Sequence, residues 1–150
     1  MYFVNREKIE QTLRYYEELL KEVQHLNSVE TRIEQLALER ILYVIIESVI
    51  DVGNSMIDGF IMRDPGGYED IVDILEDESV IINTDAESIK EVIRCRKTLV
   101  QDYNRVNHDS LLNVIHTYFQ SLESFPKAIR RYLVCELGPV SAFLPEKTAD

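Results

Sequence analysis

The sequence predicts an all-α protein, a four- to five-helix up-down bundle built around a long central second helix. Turn formers are scarce, with Gly 5 and Pro 4 in 150 residues, too few to join the many short strands of an all-β fold. Apolar residues recur three and four apart along several stretches, the spacing that lines one helical face. Apolar residues make up 45% and charged residues 29%, which is the balance of a folded domain rather than of a disordered chain. One domain over residues 1–143 is expected, since folding at this size buries roughly 70% of the extended surface. Residues 144–150 read as a frayed tail.

The first helix is expected from a cap at Asn5 to about residue 27, because Ile9, Leu13, Tyr16, Leu20 and Val23 share a face. Asn27 or Ser28 then caps a second helix, with Glu30 in its first turn, that runs to about Gly59. Its apolar residues form two stripes: Ile33, Leu36, Ile41, Val44, Ile45, Val49, Val52 and Met56 on one, Leu38, Leu42, Ile46 and Ile50 on the other. A helix apolar on most of its circumference is expected to be covered on most of it, at the centre of the bundle and at a subunit interface. Glu47, Asp51 and Asp58 interrupt this run, whereas a membrane span needs about 20 consecutive apolar residues.

Arg63-Asp-Pro-Gly-Gly67 reads as a loop, because Pro and paired Gly are costly in a helix. A short acidic helix over 68–78 follows. Thr84-Asp-Ala-Glu87 has the form of a capping box that opens a fourth helix. Its inner positions are expected to be Ile89, Val92 or Ile93, Arg96, Leu99 or Val100, and Tyr103. The last helical region spans about 109–137 with Leu112, Ile115, Phe119, Leu122, Ile129 and Leu133 inward; Pro126 kinks or splits it, and Gly138-Pro139 stops it.

The net charge of −11 repels polyanions and anionic membrane surfaces overall. Its distribution is uneven. Asp64, Glu69, Asp70, Asp73, Glu76, Asp77 and Glu78 stand together without a base, while Lys90, Arg94, Arg96, Lys97 and Arg105 cluster further on. Arg94, Arg96 and Lys97 are the candidate phosphate-binding residues. The acids, spread around their helix without His or Cys, read as a solvated face, so no metal is expected. Cys95 and Cys135 are too far apart for a C-x-x-C pair, which implies neither disulfide nor zinc and fits a reducing, cytoplasmic setting. The first eight residues lack a positive n-region followed by an apolar h-region, so no export is expected, and no cofactor is implied.

An arginine on the apolar stripe of the fourth helix is expensive to bury unpaired, so Arg96 is expected to have a partner. On an ideal helix Tyr103 lies nearly over Arg96, while Gln101 lies about 140° around the axis. The three surround one site only if the helix bends or a second subunit contributes. His25, His108 and His116 read as exposed or hydrogen-bonded surface histidines.

The segment Arg96-Lys-Thr-Leu-Val-Gln101-Asp-Tyr103 resembles the Arg-x4-His-x-Tyr motif of the HepT-like branch of the HEPN superfamily, with glutamine in place of histidine. Leu36-Ala-Leu-Glu-Arg40, Ile50-Asp-Val-Gly-Asn54, Arg63-Asp-Pro-Gly66 with Tyr68, and residues 71–78 resemble family patterns in the same order. Glu136-Leu-Gly-Pro-Val-Ser-Ala-Phe143 is similar to the YutE-like group within that family. The resemblance implies a HEPN-like helical homodimer whose cleft is lined by the motif. It also implies kinship with toxins that are metal-independent ribonucleases and an MNT-type nucleotidyltransferase antitoxin as partner, with Tyr103 the position that would be modified.

In the family the histidine exchanges a proton and the arginine holds the phosphate. Gln101 has no protonation change near neutral pH, so it can position a group but not act as a base. Ser55 stands where the family often has a second histidine. Asp51 and Asn54, polar residues within the second helix, are expected either to orient Arg96 or to satisfy a helix contact. Three functions stay open: a phosphate- or nucleotide-binding dimer with weakened or lost ribonuclease activity, a live endoribonuclease acting on RNA, and a structural interaction module.

Overall fold

The computed structural model describes residues 3–138, and these form six α-helices with no strand among them. They are α1 (Arg6–Gln24), α2 (Arg32–Gly59), α3 (Tyr68–Asp77), α4 (Asn83–Val100), α5 (His108–Thr117) and α6 (Phe119–Leu137). The expected tail at 144–150 lies outside the described residues. No described helix is long and apolar enough to cross a membrane.

Helix α1 starts where the sequence placed it, with the Asn5 side chain accepting from the Lys8 N–H. Ile9, Leu13, Tyr16, Leu20 and Val23 are buried, as their spacing requires, and Leu19 joins them. Helix α2 starts later than expected. Thr31, not Asn27 or Ser28, closes a reciprocal capping box with Glu34, and this satisfies two orphan donors at once. Along α2, Leu38, Leu42, Ile45, Ile46, Val49, Val52 and Met56 are buried, and the helix packs on α1, α3, α4 and α5. Ile33 and Leu36, expected to be covered, are exposed at 75% and 44%. Gly53 lets α3 approach closely: a Cβ there would stand 2.4 Å from Ile71 Cγ2.

The acidic and basic clusters of the sequence neutralise each other across α3 and α4. Lys90 meets Asp73 at 2.9 Å, and Arg94 meets Glu69 at 2.9 Å. The loop before α3 is tied down by Arg63, which donates to both oxygens of Asp70, while the Gly66 N–H donates to Asp70 Oδ2. Arg63, and then the Gly66 N–H, hold the Asp70 carboxyl at about 2, below its usual 3.8. A folded-state pKa below the unfolded one stabilises the fold above about pH 4, and that contribution is lost as pH falls towards 2. Asp70→Asn is therefore expected to melt with less dependence on pH between 5 and 2 than the parent protein. Parallel slopes in thermal melts over that range would refute it.

The expected Thr84 capping box does not form. Helix α4 begins two residues earlier, after Ile82 and without a side-chain cap, and the Thr84 carbonyl instead accepts from Ser88 Oγ. The break in the last helical region falls at Tyr118 rather than Pro126, which gives six helices instead of four or five. Pro126 lies buried inside α6. A proline lacks the N–H that would bond the carbonyl four residues earlier, here that of Leu122. The buried Tyr16 hydroxyl from α1 donates to that carbonyl at 2.5 Å, so tertiary packing supplies the donor that α6 cannot. Arg130 adds a second α1–α6 tie, with Glu10 at 3.0 Å and Glu17 at 2.7 Å.

Candidate functional site

Arg96 lies on the last full turns of α4, where the face that buries Ile89, Val92 and Ile93 emerges towards solvent. Its partner is Glu47 of α2. Arg96 Nε donates to Glu47 Oε1 at 2.7 Å, and the two side chains retain 24% and 28% exposure. The Arg96 guanidinium also stacks on the Tyr68 ring, Cζ lying 4.4 Å from the ring centroid. Hydrogen bonding to Glu47 raises the Arg96 pKa further, with smaller contributions from the Glu47 charge, Tyr68 and Tyr43. Burial opposes that shift without reversing it.

One contact anchors the guanidinium at Nε and the other holds its carbon over the ring. With Nε held by Glu47, no hydrogen bond among the described residues uses the two Nη atoms. They form the forked donor edge that matches two oxygens of a phosphate. Three chain segments build this arrangement: α2 brings the carboxylate, α4 the guanidinium and the start of α3 the ring.

The other motif residues stand apart from Arg96. Helix α4 ends at Val100, with Gln101 as its exposed C-cap, whose N–H bonds back to the Lys97 and Thr98 carbonyls. The expected inward position of Tyr103 is overturned, because it has left the helix and is 68% exposed in the turn that follows. No hydrogen bond or ring contact joins Arg96 to Gln101 or Tyr103 among the described residues.

Asp51, one turn beyond Glu47, is exposed and borders a shallow depression with Lys8, Thr12 and Ser55 between α1 and α2. Asn54 is half-buried and makes no hydrogen bond to Arg96. Among the described residues the side chain hydrogen-bonded to Arg96 is Glu47, and neither Asp51 nor Asn54 bonds to it. Of the expected phosphate binders, Arg94 is engaged by Glu69 and Glu91, while Lys97 is exposed and has no ion pair among the described residues.

His108, the first residue of α5, bonds Glu39 of α2 at 2.8 Å, with side-chain exposures of 12% and 19%. Glu39 and Glu47 lie eight residues apart on α2, so the two carboxylates tie both α5 and α4 to one helix. His116 and His25 are exposed. No group of three or more His, Cys, Asp or Glu that could hold a metal ion occurs among the described residues.

Sequence reasoning missed Glu47, Tyr68 and Glu39 as site residues. Glu47 left a trace as one of three acids interrupting an apolar helix, and Tyr68 as part of a family-like loop. Glu39 left a trace as part of the family-like segment Leu36-Ala-Leu-Glu-Arg40.

The family model described as Ribonuclease HepT-like matches residues 9–129. A Bacillus subtilis (strain 168) protein, YutE, whose name marks it as a candidate RNase, is 49% identical over 143 residues, covering 95% of this chain and 99% of its own. The solved structure of YutE, described as a cytosolic protein of unknown function, superposes with a TM-score of 0.92 over 95% of this chain and all of that chain. A tri-AMPylated Shewanella oneidensis HEPN toxin in complex with MNT antitoxin matches with a TM-score of 0.73 at 19% identity, over 82% of this chain and 96% of that one. A toxin–antitoxin structure with AMP-PNP matches with a TM-score of 0.74, also at 19% identity, over 82% of this chain and 97% of that one. These last two similarities concern the fold.

Proposed function

The chain belongs to the Ribonuclease HepT-like family, and from that membership we propose that it is a cytoplasmic, homodimeric HEPN protein that binds phosphate or nucleotide at Arg96 with little or no ribonuclease activity. The observation that carries this reading is the state of the motif. The arginine is held with its Nη edge free, while glutamine occupies the place of the proton-transfer residue. An amide can align a ribose hydroxyl but cannot take its proton, so phosphate recognition survives where general-base catalysis does not. An MNT-type nucleotidyltransferase is the partner that the fold relatives suggest. The exposed Tyr103 is the side chain such a partner would reach.

Arg96→Ala tests the reading. Loss of a forked, charge-assisted donor is expected to weaken binding of inorganic phosphate or 5′-AMP by about 10- to 100-fold, measured by NMR titration of the labelled protein. Unchanged affinity in the folded variant would refute it.

Two other readings have observations of their own. The name of YutE favours a live, metal-independent endoribonuclease, and growth arrest on expression would support that. The Arg96–Glu47 pair favours a structural clamp between α2 and α4. Under that reading Arg96→Ala lowers the melting temperature while the parent protein binds no phosphate.

A further inference from the structure

The Tyr68 ring lies against a cation, and the residue is nearly half exposed. Arg96 Cζ lies 4.4 Å from its centroid, yet the residue is 46% exposed. It is the first residue of α3, and its backbone follows a loop pinned by Arg63–Asp70 and by the Gly66 N–H on Asp70. An exposed aromatic ring on a fixed backbone, next to a guanidinium with a free donor edge, combines the two elements used to hold a nucleotide. A flat apolar surface takes the base and a charged fork takes the phosphate.

We infer that the open side of the Tyr68 ring is a stacking platform for a nucleobase whose phosphate is held by the Nη edge of Arg96. A base stacked on the face opposite the guanidinium would lie roughly 8 Å from Cζ, given a stacking separation of about 3.5 Å. A ribose and one N–H···O hydrogen bond span that gap. Glu47 is a positioning residue here, because it holds Nε and leaves the Nη pair without a hydrogen bond among the described residues. Stacking accepts any base, so this platform selects nucleotides over bare phosphates and sugar phosphates without reading sequence.

The inference rests on Arg96 as a phosphate-binding group, and a pair of probes separates the two claims. 5′-AMP and ribose 5-phosphate carry the same phosphate and sugar and differ in the base. NMR titration of the full chain is expected to show 5′-AMP binding about 5- to 100-fold more tightly. That ratio should persist in Tyr68→Phe and fall to near one in Tyr68→Leu. If ribose 5-phosphate binds but the base adds nothing, or the ratio survives Tyr68→Leu, the platform is refuted and the phosphate reading stands. If the parent protein binds neither probe, both are refuted.

Discussion

Gln101→His is expected to raise metal-independent RNA cleavage by about 10²- to 10⁴-fold, the usual contribution of a positioned general acid–base group. The position lends itself to the test, since Gln101 is an exposed C-cap whose backbone bonds are independent of its side chain. An imidazole there costs little in packing and restores a group that titrates near neutral pH. Cleavage of a labelled single-stranded RNA in excess chelator, compared with the parent protein, measures the gain. Arg96→Ala added to Gln101→His should remove it, because proton transfer without phosphate positioning accomplishes little. A parent protein that already cuts RNA at a rate the substitution does not change would show that another group supplies the proton chemistry. His108, hydrogen-bonded to Glu39 on the helix that also carries Glu47, would then be the first to replace.

Tyr16→Phe is expected to destabilise the fold by about 1–3 kcal/mol, the cost of leaving a buried polar group without a partner. For a chain of this size that corresponds to a fall of roughly 2–12 °C in Tm. The reason lies 106 residues away, at the Leu122 carbonyl that Pro126 leaves without an N–H and that the Tyr16 hydroxyl satisfies at 2.5 Å. Burial pushes the Tyr16 hydroxyl pKa well up, so it remains a donor across the accessible pH range. A double-mutant cycle sharpens the expectation. Pro126→Ala returns a backbone N–H to the Leu122 carbonyl, so Tyr16→Phe should cost much less in that background. Equal costs in both backgrounds, read from thermal or urea melts, would show that the loss comes from packing against Phe125 rather than from the hydrogen bond.

Much of the fold was legible because helix formation is a local matter. The face of α1 and its Asn5 cap follow from residues three and four apart, and the apolar length of α2 shows that it lies at the centre. Asn27, Ser28 and Thr84 are all competent caps by residue type, but α2 starts at the local capping box of Thr31 with Glu34, which residue type alone does not rank above its neighbours, and α4 has no side-chain cap. Pro126 looked like the weak point of the last helix. A donor from another helix removed the penalty, and the chain broke at Tyr118 instead.

By itself the sequence determined the helical class and the kinship with HepT-like proteins, because periodicity and motif resemblance are read along the chain. Only the tertiary structure decided what surrounds Arg96. Glu47, Asp51 and Asp58 were equivalent acids in one apolar helix until the crossing of α2 and α4 brought Glu47 within 2.7 Å. Tyr103 was an inward residue until α4 stopped at Val100 and turned it into solvent. Tyr68 became the guanidinium's stacking partner once α3 was pinned beside α4 by paired charges. Contacts between residues dozens of positions apart depend on helix crossing and helix length, which local periodicity does not encode.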